Sequence, residues 1–88
     1  MTLSPPNDAA AIALSALAAT LTDDRRATRF LSVTGLSPDG IRRSLGDRHT
    51  LAACLTFLES HEPDLLAVAE AIGTTPETLI AARAELES

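Results

Sequence analysis

The 88-residue sequence contains no lysine, tryptophan or tyrosine, one cysteine, and two aromatic residues, Phe30 and Phe57. Each shortage excludes something. With a single thiol, Cys54, no disulfide forms within the chain, which suits a reducing compartment. Two phenylalanines at core-like positions make no stacking platform for single-stranded nucleic acid. Arginine is the only basic side chain and the formal net charge is −5, so the phosphate neutralisation that drives nucleic-acid binding is scarce. Duplex DNA is therefore disfavoured as a partner, although one local patch would suffice. The apolar run "AAAIALSALAA" is too short to span a bilayer. It has the length of a signal-peptide core, and Ala16-Leu17-Ala18 mimics a cleavage site, but "SPPND" ahead of it lacks the positive charge such a signal needs. The expectation is a cytoplasmic protein, free of the membrane, whose first helix stays attached.

Chemistry-bearing patterns are equally sparse. No phosphate-binding or dinucleotide fingerprint is present. His49, Cys54 and His61 do not show the short paired spacings of a structural zinc site, and Cys54 among Leu51, Leu55 and Leu58 reads as a core thiol. A Cys–His catalytic pair would lack an orienting third group. The acidic cluster Glu59, Glu62 and Asp64 around His61 reads as a solvated corner. No catalytic residue, metal or cofactor is expected, nor a pocket large enough for a cofactor.

What the chain does have is apolar content, 45% of it, rich in alanine and leucine. Alanine surrenders no rotamer freedom in a helix, and no segment alternates as a strand must. The pattern predicts an all-α bundle of five or six short helices, as a single domain over 8–88 after a disordered tail over 1–7. Asn7 or Asp8 caps a first helix of about 8–21, and Thr22 or Asp23 a second of about 24–34 ending at Gly35. Ser37 and Pro38 open a third, with Ile41 and Leu45 inward and Gly46 as its end. Asp47 opens a fourth, Glu62-Pro63 a fifth that stops at Gly73, and Thr75-Pro76 a sixth.

The corner Gly35–Pro38 recurs as Gly73–Pro76, an offset of 38 that also pairs Ser37 with Thr75 and Ile41 with Leu79. Two pseudo-repeated halves, about 8–46 and 47–86, account for this, and so does independent use of common capping residues. Both corners have the outline of a helix-turn-helix. "VAEAIGTTPETLIAAR" has the packing residues, yet Pro76, Glu77, Ile80, Ala81 and Ala84 offer no bidentate contact to a base. The first corner has Arg42 and Arg43, with Arg48 close by, but poorer packing residues. These three arginines are the candidate contacts for DNA or a partner. A second lead is surplus apolar surface on the first and sixth helices. There Leu14, Leu17, Leu79 and Ile80 are candidates for a homodimer or protein-partner interface. The leading reading is a non-catalytic interaction module, and the alternative is a helix-turn-helix-like DNA-binding regulator.

"RFLSVTGLSPDGIRRSLGDR" and "LTFLESHEPDLLAVAEAIGTTPETL" together resemble the small bacterial proteins grouped as domain of unknown function 3572. The resemblance is carried by Arg29-Phe30-Leu31, Thr34-Gly35-Leu36 and Pro38, then by Phe57-Leu58 and Leu65-Leu66. His61 and Pro63 are less typical of it. It implies a short helical protein and brings no activity, ligand or catalytic residue with it.

Overall fold

The computed structural model describes residues 8–88; the tail expected over 1–7 lies outside them. Six helices follow one another: α1 (Ala9–Thr22), α2 (Asp24–Thr34), α3 (Pro38–Arg43), α4 (Arg48–Glu59), α5 (Glu62–Ala71) and α6 (Pro76–Glu87), with no strand among the described residues. Most starts are fixed by a side chain that satisfies orphan amide groups of the first turn. Asp8 accepts from the Ala10 and Ala11 amides, Asp23 from Arg26, Ser37 from Gly40, Asp47 from His49 and Thr75 from Thr78. The start of α5, at His61, has no side-chain cap, and Pro63 sits in its first turn, where no amide is needed.

α1 and α4 pack on each other, and α6 lies along both; α2 and α5 close the remaining sides. Phe30, Leu17, Leu55, Leu58, Leu79 and Val68 are fully buried between them. The two phenylalanines meet edge to face, with centroids 5.3 Å apart, so the scarce aromatic volume is concentrated at one point. Thr20 is also buried. Its hydroxyl donates to the Ala16 carbonyl at 2.7 Å and touches the Cys54 sulfur at 3.6 Å.

The offset of 38 holds at the starts of two helix pairs, while α1 and α4 start 39 residues apart. α2 and α5 start at 24 and 62, and α3 and α6 at 38 and 76. Gly35 and Gly73 have φ of 74° and 73°, the left-handed conformation that ends a helix cheaply only at glycine. The two possible halves share one core, to which α1, α4 and α6 all contribute. α3 and α6 also differ, with 6 and 12 residues.

Three expectations change. α3 ends at Arg43 with Ser44 as its cap, before Gly46, which does not adopt a positive φ. Ser44 folds its hydroxyl back onto the Gly40 carbonyl, and with Gly40 inside so short a helix the segment does not extend to a further turn. Leu45, expected inward, is therefore exposed. Leu17 and Leu79, expected at an interface, are 1% and 0% exposed. α1 and α6 turn those faces onto α4 and each other, so both leucines are core.

Candidate interaction surface

α1 has no charged residue. Its inner face, Ala9, Ile12, Ala13, Ala16, Leu17 and Thr20, is buried. Its outer face, Ala10, Leu14, Ala18 and Leu21, is exposed and lies at spacings of four, four and three, a continuous helical stripe. A surface helix ordinarily carries charge on this side. Leu14 is 44% exposed and Leu21 36%.

The stripe runs into a cleft. Leu21 lines it together with Leu31, Pro38, Ile41, Arg42 and Leu45, around about 230 Å³. That is below the range of small-molecule sites, roughly 300–1,000 Å³, and suits an apolar side chain. Leu45, beyond the end of α3, lines the same cleft as Leu21. The sequence reading missed Leu21 and Leu45. The signal was in the spacing: Leu21 follows Leu14 by two helical turns.

The candidate arginines do not form one patch. Arg42 pairs with Asp39 at 2.7 Å on the exposed side of α3, a contact of small energetic worth. Arg48 turns away to the last turn of α6, donating to the Leu86 carbonyl at 3.2 and 3.0 Å and to Glu85 at 3.0 Å. Arg43 makes no ion pair among the described residues.

A second group of arginines is bound inward. Arg26 donates to the Ala19 carbonyl at 3.0 Å and contacts the Asp64 carboxylate at 3.5 Å. Arg29 pairs with the other Asp64 oxygen, which has no further partner, and lies over the Phe57 ring at 5.6 Å. This clamp ties α1, α2, α4 and α5 together. On α6, Arg83 bridges Glu59 and Glu87, and hydrogen bonding to Glu59 and then Glu87 raises its pKa.

α5 and α6 cross at 98°, within the range of a helix-turn-helix corner. The exposed residues of α6 are Glu77, Ile80, Ala81, Ala84, Glu85 and Glu87, with no Arg, Asn or Gln among them for a bidentate contact to a base. Cys54 is fully buried, and that burial pushes its thiol up to about 11, with the Thr20 hydroxyl pulling weakly the other way. Such a thiol is protonated and poorly nucleophilic. No three ligand-type side chains gather into a metal site among the described residues.

One feature departs from expectation. A groove of about 890 Å³ runs along α4, between the C-terminal ends of α2 and α6, past His49, Ala52, Ala53, Thr56 and Phe57. It is of cofactor size, where the sequence leads to the expectation of no such pocket.

The sequence matches the family described as "Protein of unknown function (DUF3572)" over residues 6–88. The chain belongs to that family. No curated protein and no solved structure is similar to it. The residues that carry the family resemblance meet in the fold. Phe30, Phe57, Leu58 and Leu65 are buried, and Arg29 lies over Phe57. These four positions belong to the core, and Arg29 to its clamp, while Leu31 and Pro38 line the cleft beside Leu21. No single described helix is long and apolar enough to cross a membrane.

Proposed function

We propose that this chain is a non-catalytic interaction module that binds protein through the outer face of α1 and the adjoining cleft. The observation that carries this reading is the uncharged, solvent-facing stripe Ala10–Leu14–Ala18–Leu21, which ends in the apolar cleft at Leu31, Ile41 and Leu45. Apolar anchors at successive turns, continuous with a side-chain-sized recess, are the features of a helix-binding surface. In this reading Cys54, buried and protonated, has no nucleophilic role. The same lone thiol suits the cytoplasm as its compartment.

The test is affinity capture from the native cell with the wild-type chain and with Leu14→Glu and Leu21→Glu. A polypeptide, the chain itself included, that is enriched by the wild type and lost by both variants supports the reading. Equal capture by all three ends it.

A DNA-binding regulator is the second reading, favoured by the 98° corner of α5 and α6. It calls for a gel shift at low salt that weakens steeply as salt rises. Complete absence of a shift removes it.

A further inference from the structure

α3 and α6, related by the offset of 38, are held in place very differently. α6 buries Leu79, Ala82 and Leu86, and it is tied to α4 by Arg48 at its far end and through Arg83 to Glu59. α3 buries one side chain, Ile41, which corresponds to Leu79. Pro38, Asp39, Arg42 and Arg43 are exposed, and Gly40, which has no side chain, lies inside the helix. α6 packs on α1, α4 and α5, whereas α3 runs along none of the other helices.

The polar contacts of α3 do not tie it down either. Ser37 caps the Gly40 amide, Arg42 pairs with Asp39, and the Ser44 hydroxyl returns to the Gly40 carbonyl. Each stays within the segment. Among the described residues, no side chain from 37 to 46 bonds to another helix. A helix of 6 residues does not hold itself, because nucleation is costly and isolated helices need about 12–15 residues. Gly40 weakens it further. The helical state of α3 therefore leans on the burial of Ile41. Few buried apolar contacts and exposed backbone hydrogen bonds mark the part of a fold that opens first.

We propose that α3 is a movable wall of the cleft: the segment from Ser37 to Gly46 opens by itself while the other helices stay folded. Gly35 precedes it and Gly46 ends it, and a residue without Cβ lets the chain turn at each end. In the closed state Pro38, Ile41 and Arg42 face Leu21 and Leu31 around the recess of about 230 Å³. In the open state they have left, and Leu21 and Leu31 present one apolar surface that continues the stripe on α1. Local openings of this kind take microseconds to seconds. The opening belongs to the fold itself. Its service as a gate rests on the reading of this cleft as protein-binding, since the open fraction would set how much chain is ready to bind.

Native-state hydrogen exchange of the full chain, from zero to low urea, tests this. The amides of Ile41 and Ser44 donate to the carbonyls of Ser37 and Ile41. They should exchange with protection factors below about 100 that barely change with urea, because little surface is exposed when α3 opens. The amides of Leu55 and Leu58 in α4 should be protected by about 10,000-fold or more, falling steeply with urea. Ile41→Ala gives a second measurement. Once α3 is fully open nothing more is lost, so this variant should weaken the folding equilibrium by no more than the wild-type protection factor of the Ile41 amide. Leu55 and Leu58 should remain protected in it. Exchange of Ile41 and Ser44 on the same urea line as Leu55 and Leu58 overturns the proposal, since α3 then opens only with the whole fold. A loss in Ile41→Ala beyond the measured protection factor overturns it too, since Ile41 then supports more than α3. If α3 opens as expected while Leu21→Glu captures the same proteins as the wild type, the protein-binding reading fails and the opening stands.

Discussion

The Arg48 guanidinium, at the first residue of α4, donates to the Leu86 carbonyl in the last turn of α6 through both Nε and Nη2, and Nη2 also donates to the Glu85 carbonyl. The last carbonyls of a helix have no partner within it and carry the negative end of its dipole. A charged, forked donor answers both needs. It also fixes the end of α6 against the start of α4.

Arg48→Ala should therefore destabilise the fold by about 1–2 kcal/mol. In a domain of this size that lowers Tm by roughly 5–10 °C. Hydrogen exchange of the α6 amides should quicken most at its C-terminal end. Arg48→Lys should recover only part of the loss, because an ammonium cannot serve two carbonyls with a planar fork. A thermal melt of the three proteins checks the order.

Gly35 and Gly73 should behave alike. Both have φ near +74°, and a Cβ added at either meets nothing within 4 Å, so the penalty of Gly→Ala is that of the backbone alone. About 1–2 kcal/mol is expected at each. Gly46 is the control. It too has open space around it but no positive φ, so Gly46→Ala should be neutral or gain up to about 1 kcal/mol by restricting the unfolded chain. Urea denaturation of the three variants separates the cases.

These glycines show what was legible in the sequence. Caps and corners are local, and Ser37-Pro38, Asp47 and Thr75-Pro76 each mark a helix start unaided by the rest of the chain. The end of α3 was not legible in that way. Gly46 looked like the stop, while the cap is Ser44, because a helix of 6 residues with Gly40 inside it has little to lose by ending early. Leu17 and Leu79 were misplaced for a different reason. α1 is uncharged all round, so its composition does not say which side faces inward; that is decided by where α4 and α6 lie. Arg48 was read as a surface contact because its partners are main-chain carbonyls 37 and 38 residues away, which leave no trace in residue types.

The clamp at Asp64 should matter more than its single carboxylate suggests. Asp64 and Arg26 have side chains 13% and 14% exposed, so removing one charge leaves the other poorly solvated. Asp64→Asn should cost about 2 kcal/mol, within the range for losing a charged hydrogen-bond partner. Arg29→Met should cost less, since Arg29 is 43% exposed and Phe57 keeps an apolar neighbour. A double-mutant cycle of Asp64→Asn with Arg26→Gln should show coupling on the order of 1 kcal/mol. Additive losses would mean that Arg26 works through the Ala19 carbonyl alone.

Alkaline stability should report on Cys54. A free thiol ordinarily ionises near 9, and in the fold burial pushes that of Cys54 up to about 11. Below 9 both states hold the proton and nothing is lost. Between about 9 and 11 the unfolded state has released it and the native state has not, so the unfolded state binds fewer protons and stability falls as pH rises. Two units of separation set a ceiling of about 2–3 kcal/mol on the loss. The sequence makes this unusually easy to see. With no lysine and no tyrosine, no other side chain titrates in that window. Urea denaturation from about pH 8 to 11 should show a falling limb in the wild type that Cys54→Ala lacks. A limb of equal size in the variant would place its origin away from the thiol.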